Sequence, residues 1–550
     1  MSAAKKKVAV PGTFALQGRI VTMNAGFDVV DPGTVYVKDG TIAAVQPSPA
    51  PPPAGFTGVT PLVTGGAIFP GLIELHNHLA YNALPLWQVP ELYKDRDQWR
   101  GTVDYETLIS RPMALLGKSP QLTLAICRYV ECKCLLGGVT TSQGIRLVQN
   151  AGIGKYFRGV IRTVEQPGSD PHLPAAAALI SDPDADDPAK FWQTLQKQNT
   201  KGGSYLLHLS EGVDTAARKH FLSLHITPDT WAIDRALAGI HCAALQAADF
   251  AVLAAHQGAM VWSPFSNLLL YGQTADVAAA KAAGVPIGLG PDWSPSGSKS
   301  LFGELKVAKL YSDNNGGVFS ARDLVAMATR DAAAILRWDR ALGSLEPGKR
   351  ADLLVVAVAG SDPYAGLIAA KETAIRLVVV DGVARYGMPA LVAAFRDDAE
   401  AIKVGGLARA LNLKEAPGDP TVAALTFAQA SQSLQDALLH LPDLQTGIVT
   451  PTQHALAAAL PHLSRTSGWT LALDEIEDTA YDLRPHLPIA GTPRTGAHRL
   501  AAVALAAKPI VLKPLRLDPP TVADDPIFLD SVGGQKNLPA YLKEGLAGLY

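Results

Sequence analysis

The chain has 550 residues, a formal net charge of −2 at pH 7 and 18% charged residues. This length exceeds what one hydrophobic core usually supports, so we expect at least two structural units. The balanced charge and a pI near 6.7 argue against a nucleic-acid or anionic-membrane partner, which normally requires a basic excess. A small-molecule partner fits better, and the sequence leaves homo-oligomerisation open.

The amino-terminal residues place three lysines before an apolar run, as a signal peptide does. Pro11 and Gly12 interrupt this run too early for a secretory signal, so we predict a solvated leader. No apolar stretch reaches the ~18 residues that would indicate a membrane span.

Residues 14–46 read as short strands joined by turns. The stretches 16–23 and 34–38 are rich in β-branched residues, and Asp39-Gly40 is typical of a hairpin turn. Five prolines between residues 47 and 55 then indicate a loop or spacer.

From about residue 68 to 344 apolar runs alternate with Ala/Leu-rich helical stretches. This pattern predicts βα units and a parallel sheet, and seven or eight units over ~280 residues predict a closed (β/α)8 TIM-type barrel. The apolar runs that we interpret as strands are 68–75, 138–143, 158–164, 204–209, 239–241, 260–263 and 285–289.

The ends of four of these runs carry residues that bind metals. His76 and His78 follow the first run at a spacing of two, which directs both side chains to one face of an extended backbone. The later runs end near His208 and Glu211, at His241 and before Asp292. In a TIM-type barrel such residues meet at the catalytic face.

Two segments are candidates for substrate contacts. Residues 79–120 are too long for an ordinary connection and carry Trp87 and Trp99, which either line the pocket or pack a lid against the barrel. Residues 294–300 contain Ser294, Ser296 and a lysine, which could suggest a serine nucleophile. Their position just after Asp292 favours a substrate-contacting loop instead.

The four cysteines are expected to be free and buried. Cys132 and Cys134 resemble half of a thiolate site, but the chain has no matching second pair, and Cys127 and Cys242 stand apart. Free thiols indicate a reducing, cytoplasmic setting.

After residue 344 the strand pattern returns without intervening helices. We therefore predict a small discontinuous β-sandwich from residues 1–66 and 345–388 around the barrel of residues 67–344. Residues 389–550 are rich in Ala and Leu and predict a mainly helical extension, whose role is not legible. Its histidines have no ligand-like spacing and read as ordinary residues; they are His440, His454, His462, His486 and His498.

Taken together, these motifs resemble the amidohydrolase superfamily. The resemblance covers residues 14–388 and is closest to the branch with cytosine, guanine and S-adenosylhomocysteine deaminases and triazine hydrolases. The motifs that carry it are Pro70-Gly71-Leu72-Ile73 with His76 and His78, His208-x-x-Glu211, His241, Asp292, and Gly348-Lys349-x-Ala351-Asp352-Leu353.

The resemblance implies a metal centre and three catalytic residues. His76, His78, His208 and Asp292 would hold one divalent ion, while Glu211, His241 and Asp292 would act on substrate and water. Because the nearest lysine, Lys155, precedes the strand that would carry a bridging lysine, we expect one metal. Zinc is the expected ion, with iron and manganese as alternatives.

The sequence departs from the family at two places. Trp262 replaces the histidine of the usual His-Cys-Pro stretch, which makes Trp262 a candidate substrate contact on an altered pocket wall. Glu74 replaces the usual aspartate before the histidine pair, and we expect metal binding to survive this change.

These residues would perform hydrolysis of a C–N bond. A bound divalent ion lowers the pKa of its water to about 7, Asp292 accepts the proton, and Glu211 passes a proton to a ring nitrogen and then to the leaving amine. His241 would stabilise developing charge. Deamination of an aminated heterocycle leads, cleavage of an amide, acyl-amine or cyclic amide is the alternative, and a non-catalytic scaffold is a more distant one.

Overall fold

A computed structural model describes residues 12–149, 152–179, 187–227, 229–414, 422, 424–447, 468–473 and 511–550. The leader and the predicted positions of His454, His462, His486 and His498 lie outside these residues. Within the described ranges, no helix combines the length and the apolar character needed to cross a membrane.

The first four strands and five late strands form one nine-stranded sheet. The strands before the barrel are β1 Thr13–Val21, β2 Val29–Lys38, β3 Thr41–Pro47 and β4 Leu62–Pro70. The sheet joins them to strands after the barrel because β4 pairs in parallel with β1 on one side and antiparallel with residues 353–356 on the other. The chain therefore leaves this sheet at residue 70 and returns to it near residue 353.

The return of the chain adds strands beyond the predicted boundary at residue 388. The strands after the barrel are β17 Leu353–Val356, β18 Ile375–Val380, β19 Val383–Gly387, β20 Glu400–Val404 and β21 Leu407–Leu411, of which β20 and β21 lie beyond residue 388. The spatial order is β20-β21-β19-β18-β17-β4-β1-β2-β3, one continuous hydrogen-bonded sheet. The last hairpin extends the sheet because β21 pairs with β19.

Eight further strands form two parallel sheets between β4 and β17. The first sheet contains β5 Leu72–Ile73, β6 Val139–Ser142 and β9 Arg162–Thr163. The second contains β10 Ala177–Leu179, β11 Tyr205–Leu209, β14 Leu237–His241, β15 Ala259–Trp262 and β16 Ile287–Leu289. Two antiparallel hairpins decorate them, and their strands are β7 Arg146–Gln149, β8 Gly154–Tyr156, β12 His225–Thr227 and β13 Thr230–Trp231.

Backbone hydrogen bonds join the two parallel sheets at both edges. On one side the Ala176 N–H donates to the Val164 carbonyl at 2.8 Å. On the other side the Leu75 N–H donates to the Leu289 carbonyl at 3.2 Å. The arrangement is a TIM-barrel-type α/β fold, with its strand ends gathered at one face.

The helices lie mostly between successive strands. Those between β5 and β17 are α1 Arg96–Arg100, α2 Val103–Tyr105, α3 Arg111–Lys118, α4 Pro120–Leu136, α5 Pro188–Thr200, α6 Thr215–Leu222, α7 Ala247–Ala255, α8 Pro264–Tyr271, α9 Val277–Ala283, α10 Leu301–Asn314, α11 Ala321–Met327 and α12 Arg330–Ile335. Those after β17 are α13 Pro363–Ala369, α14 Pro389–Val392 and four helices named by their bounds, Phe427–Leu439, Leu441–Gln445, Phe528–Gly533 and Ala540–Leu549.

The longest of these helices, α4, is buried on almost every side. Ser119 caps its amino end by accepting a hydrogen bond from the Leu122 N–H, and a proline occupies the first turn, where its missing N–H has no cost. One side of α4 faces the barrel, while Tyr129 stacks on Phe427 with ring centroids 5.5 Å apart. Its mostly apolar sequence, with Cys127, Cys132 and Cys134 buried and outside any disulfide, follows from this double coverage.

The described part of residues 389–550 is built of helices and strands that cover the barrel. A short strand, β22 Trp469–Leu471, pairs with β7. Residues 511–525 run along the barrel mouth, where the Asp518 N–H donates to the Ala83 carbonyl at 2.9 Å. This segment therefore contacts the loop that follows β5.

Candidate metal centre and active site

The candidate metal ligands lie at the ends of three strands. His76 and His78 follow β5, His208 lies in β11 and Asp292 follows β16, and all four side chains are buried. His241 ends β14 and adopts a left-handed φ of 67°, and Asp292 has a φ of 68°. A non-glycine residue in this conformation carries a free-energy cost, and such residues cluster where a turn must aim a functional side chain.

The ligand atoms of these residues converge on one point. Asp292 Oδ1 lies 3.1 Å from His76 Nε2 and 3.4 Å from His78 Nε2. The ring of His208 is 4.6 Å from that of His76, measured between centroids. His76, His78 and His208 form one set in which all ligand atoms lie within 4.8 Å of one another, and His241 enters two other sets.

This geometry fits a divalent metal ion. Two ligands that are each about 2.1 Å from a tetrahedral zinc ion are about 3.4 Å apart, close to the separations between Asp292 and the two histidines. His76 Nε2 is fully buried and has no well-aligned hydrogen bond in the described structure, although Asp292 is near. Nitrogen and carboxylate ligands crowded in this way suit zinc or a related ion.

Neighbouring polar groups orient two of the ligands. Gln143 Oε1 lies 3.2 Å from His76 Nδ1 and also accepts the Asn77 N–H at 2.8 Å. Ser266 donates its hydroxyl to Asp292 Oδ2 at 2.7 Å, which leaves Oδ1 facing the histidines. Such contacts fix ligand orientation and usually matter nearly as much as the ligands.

The protonation states also suit metal binding. Burial, reinforced by His76 and Arg96, holds the pKa of His208 well below its ordinary value, so its imidazole is neutral at pH 7. Burial alone would raise the pKa of Asp292, but His76 and His78 outweigh burial and lower it. A neutral imidazole and an ionised carboxylate are the forms that bind metal.

Glu211 lies beside the cluster, held by two other side chains. Its Oε1 accepts the Tyr271 hydroxyl at 2.8 Å, while Oε2 lies 3.5 Å from Arg96 Nε and 3.7 Å from His241 Nε2. Burial and the adjacent Glu211 carboxylate raise the pKa of Tyr271 well above its ordinary value, so this phenol remains a donor. Glu211 is thus a buried carboxylate a few ångströms from the histidines.

Aromatic side chains form a wall next to this cluster. Trp293, the residue after Asp292, lies 5.4 Å from His78 and 5.1 Å from Tyr81 between ring centroids. Trp99 packs on Trp293 at 6.2 Å and donates its indole N–H to Tyr271 at 2.9 Å. The wall therefore extends from His78, a candidate metal ligand, to Tyr271, whose hydroxyl donates a hydrogen bond to Glu211.

The other predicted substrate contacts stand at different distances from the centre. Ser296 is connected to the candidate ligand Asp292 through one other residue. Its hydroxyl lies 2.9 Å from that of Ser266, which donates a hydrogen bond to Asp292. Trp87 lies behind the wall, with its ring 6.3 Å from Tyr105. Ser294 accepts a hydrogen bond from Lys133 Nζ at 2.7 Å.

Trp262 does not face the pocket, which corrects its expected role as a substrate contact. Successive residues of a strand point to opposite sides, and Val261 packs inside the barrel in a cluster with Leu206 and Ile240. Trp262 therefore points outward, where its ring is 5.4 Å from Tyr311 of α10. Its indole N–H donates to Thr274 at 2.8 Å.

Several site residues were missed by the sequence reasoning. Ser266, Asn267 and Tyr271 all lie on α8, and the spacing of four between Asn267 and Tyr271 puts them on one helical face. That spacing, in a helix directly after a barrel strand, was a usable signal. The position of Trp293 directly after Asp292 was another usable signal, whereas Arg96 had none, because its position depends on how the long loop folds over the barrel.

A protein-family model described as "Amidohydrolase family" matches residues 205–385 of this chain. The matched range contains His208, Glu211, His241 and Asp292, and it ends in β19. The resemblance inferred from the motifs is thus confirmed over the second half of the barrel and the strands that follow it.

Characterised relatives cover a longer stretch at low identity. A 5-methylthioadenosine/S-adenosylhomocysteine deaminase of Symbiobacterium thermophilum is 26% identical over 379 residues, which are 62% of this chain and 84% of that protein. An S-triazine hydrolase of Gordonia rubripertincta is 23% identical over 409 residues, which are 64% of this chain and 82% of that protein.

Solved structures are similar in fold. A zinc complex of the atrazine chlorohydrolase from Arthrobacter aurescens has a TM-score of 0.54 at 20% identity and covers 68% of this chain and 94% of its own. A zinc-bound adenosine deaminase from Xanthomonas campestris has a TM-score of 0.52 at 17% identity and covers 77% and 99%. Both similarities support a TIM-barrel-type α/β fold for this chain.

Proposed function

We infer that this chain is a metal-dependent hydrolase of the amidohydrolase superfamily that acts on C–N bonds of small molecules other than peptides. The family match over residues 205–385 and the deaminase and triazine-hydrolase relatives support this assignment. The proposal goes further for this chain: it deaminates an aminated heterocycle.

One observation carries the proposal of deamination. Glu211 is a buried carboxylate that lies 3.7 Å from His241, beside the histidine and aspartate cluster and next to the wall of Trp293 and Trp99. Deamination of a heterocycle requires a flat aromatic surface for the ring and a carboxylate that moves a proton to a ring nitrogen and then to the departing amine. The site supplies both.

The proposed ligands are His76, His78, His208 and Asp292. When bound, a divalent ion would activate water for attack and polarise the attacked carbon. Because Ser266 holds Oδ2 of Asp292, Oδ1 is left among the imidazoles, where it accepts a proton from the attacking water. One ion is proposed, with zinc first, since these ligands meet at a single point.

Glu211 and His241 act on the substrate in this proposal. Tyr271 and Arg96 position the Glu211 carboxylate, which receives a proton and returns it to the leaving nitrogen. His241 Nε2 is buried without a hydrogen-bond partner in the described structure, and it faces the space next to Glu211. It is proposed to donate a hydrogen bond at the attacked centre.

The proposal includes the architecture around the site. The eight strands β5, β6, β9, β10, β11, β14, β15 and β16 are proposed to close as one (β/α)8 barrel, supported by the backbone hydrogen bonds at both junctions. The domains are proposed as a discontinuous β-domain, the barrel of residues 67–344 and a C-terminal extension that is helical over much of its described length. A cytoplasmic location is supported by four buried cysteines that form no disulfide among the described residues.

Ammonia release by zinc-reconstituted protein tests the proposal. The panel contains aminated purines, pyrimidines, pterins and triazines, with Asp292→Asn as the blank and Asp313→Asn, an exposed carboxylate, as the matched control. We expect ammonia from at least one heterocycle with wild type and the control, and none with Asp292→Asn. Silence across the panel would reject deamination and direct the search to amides, ureas and lactams.

A further inference from the structure

A chain of three hydrogen bonds leads from Trp262 to His241. The Trp262 indole N–H donates to Thr274 Oγ1 at 2.8 Å, and the Thr274 hydroxyl donates to Asn267 Oδ1 at 3.2 Å. Asn267 Nδ2 lies 3.0 Å from His241 Nδ1. Trp262, Asn267 and His241 are all fully buried, so water does not compete for these groups.

In the structure the hydrogen bonds of this chain run in one direction, from Trp262 to His241. An indole N–H can only donate, so Thr274 accepts from Trp262, and its single proton is available for Asn267 Oδ1. In the structure Oδ1 of the Asn267 amide faces the Thr274 hydroxyl, which donates to it. The amide NH₂ group then faces His241 Nδ1, which accepts, and in this arrangement the neutral ring carries its proton on Nε2.

A second side-chain amide, that of Gln143, faces His76 with its oxygen and so favours the opposite tautomer of this ring. The Asn77 backbone N–H donates to Gln143 at 2.8 Å, so the oxygen of this amide is the atom that faces His76 Nδ1 at 3.2 Å. His76 Nδ1 therefore carries the proton and donates it to Gln143. The lone pair of His76 is left on Nε2, which lies 3.1 Å from Asp292.

We propose that Trp262 is a positioning residue that, through Thr274 and Asn267, holds His241 as the Nε2–H tautomer and so makes it a hydrogen-bond donor to the substrate rather than a metal ligand. The inference rests on the proposed function, since it assigns a role within that site. It explains why neighbouring imidazoles have different roles, as metal ligands or as a hydrogen-bond donor. His76 presents a lone pair to the ion, while His241, although close enough to enter two candidate ligand sets, presents a proton.

The position of the His241 proton suits a donor to substrate. His241 Nε2 has no hydrogen-bond partner among the described residues, and Glu211 Oε2 is 3.7 Å away. A substrate atom between the metal ligands and Glu211 would therefore meet this N–H. The tryptophan that replaces the family's histidine thus acts from outside the barrel wall on a group inside it.

Nitrogen NMR of full-length protein labelled with ¹⁵N-histidine tests the assignment directly. Spectra are recorded with zinc and without it, and His241→Gln and His76→Gln identify the two rings. We expect the proton of His241 on Nε2 with and without zinc, and that of His76 on Nδ1 in the zinc-loaded protein. A His241 proton on Nδ1 would overturn the proposal.

Asn267→Asp reverses the polarity of the last contact. A carboxylate can only accept, so the His241 proton should move to Nδ1, and kcat should fall by about 10²-fold, as when a transition-state donor is lost. A His241 proton that stays on Nε2 in a folded Asn267→Asp protein would contradict the proposed control by the amide.

Variants of Thr274 distinguish an effect of the hydrogen-bond chain from an effect of packing alone. Thr274→Val keeps the shape but removes the hydroxyl, whereas Thr274→Ser keeps the hydroxyl. Thr274→Val and Trp262→Phe should place part of the His241 proton on Nδ1 and lower kcat at least about tenfold, below the full effect of a lost donor. Thr274→Ser should restore the wild-type spectrum and rate.

These measurements still test the proposal if one variant does not fold or if the proposed function is wrong. If Asn267→Asp does not fold, the Thr274 pair carries the test, and identical spectra for Thr274→Val and wild type would reject a role for Trp262. If no heterocycle is deaminated, the proposed function falls, yet the spectra still report the tautomer. The two failures are therefore distinguishable.

Discussion

At the scale of single residues, Glu211 is the side chain on which the proposed chemistry depends most. Glu211→Gln keeps the volume and the acceptor for Tyr271 but removes the ability to carry a proton. We expect kcat for ammonia release to fall by about 10²-fold or more, which is usual for a general acid–base. Steady-state kinetics measure this.

The matched control is Glu91→Gln, because the Glu91 side chain is exposed and distant from the histidines. It should keep the wild-type rate. A Glu211→Gln enzyme within about threefold of wild type would remove Glu211 from the proton transfer, since general acid–base catalysis contributes far more.

A second carboxyl group, Glu304 in α10, should make stability depend on pH. Its Oε1 accepts the Phe265 N–H at 3.0 Å, and its Oε2 is buried without a partner in the described structure. Burial raises the pKa of Glu304 from 4.5 to about 8. The folded protein therefore holds this proton over a pH range in which the unfolded chain has lost it.

The sign of the effect follows from this excess of bound protons in the folded state. The Glu304 contribution to the free energy of unfolding is fully present below pH 4.5 and decreases as the pH rises toward about 8, by roughly 1.4 kcal/mol per pH unit at most. Glu304→Gln lacks this titration and should be more stable than wild type at pH 9. Thermal unfolding at pH 6 and pH 9 measures the difference in stability between Glu304→Gln and wild type. The same difference at both pH values would contradict the predicted titration of Glu304.

Residue identity in the site was predictable where motifs follow strand ends. His76, His78, His208, Glu211 and Asp292 come together because neighbouring parallel strands bring their ends to one face. Side-chain direction was less predictable. Whether Trp262 points into or out of the barrel depends on how its strand packs, which the sequence does not specify, and it was therefore read as a pocket residue. Arg96 reaches Glu211 only through the folded loop.

At the scale of elements, the C-terminal segment clamps the aromatic loop. Gln535 donates to the Trp87 carbonyl at 2.7 Å and accepts the Val89 N–H at 3.2 Å. Asn537 donates to the carbonyls of Glu91 and Leu269 at 2.9 and 3.1 Å. The extension, whose role was not legible in the sequence, therefore positions the loop that carries Trp87 and Trp99.

Gln535→Leu tests this clamp. It leaves two buried backbone groups without partners, each of which costs about 1–3 kcal/mol. We expect lower thermal stability and faster hydrogen exchange at the Val89 amide, with a smaller change for Gln535→Glu, which still accepts from Val89. Lys536→Ala, at an exposed neighbour, is the control and should change neither. Unchanged Val89 exchange in Gln535→Leu would refute the clamp.

Strands were easier to predict than their exact number. Seven apolar runs correspond to strands because Val, Ile and Leu dominate them. β10 was missed because Ala177 and Ala178 favour a helix as readily as a strand, and only pairing with β11 decides the outcome. Long-range pairing of this kind has no local signal.

At the scale of the whole molecule, one buried ion pair links the barrel to the nine-stranded sheet. Arg162 of β9 bonds to both oxygens of Asp352, just before β17, and also lies 2.6 Å from Asp381. Arg162 is buried, and a buried charge needs its partner. The pair joins two parts that sequence reasoning treats as separate domains.

Asp352→Ala should destabilise the entire protein. The uncompensated Arg162 costs about 3 kcal/mol, since Asp381 replaces only part of the lost contact. Calorimetry should show one unfolding transition at a lower temperature. Asp398→Ala breaks an exposed pair with Arg396 and should leave the transition unchanged. A separate, earlier transition in Asp352→Ala would show that the two parts unfold independently.

The general plan of the molecule was predictable because alternating βα units and flanking strands have few stable arrangements. The return of late strands to the first sheet was inferred from the absence of intervening helices. The continuation of the sheet to residue 411 was not, because β20 and β21 are short and each contains charged residues, such as the exposed Lys403 and the buried Arg409.

The clamp on the aromatic loop also has a consequence in time. Gln535 and Trp87 are 448 residues apart, so a ribosome that adds about 5–20 residues per second needs roughly 20–90 s between them. During translation the candidate metal ligands are therefore synthesised long before Gln535, which holds the aromatic loop in place. The loop can reach its final position over the candidate site only after this later segment has been made.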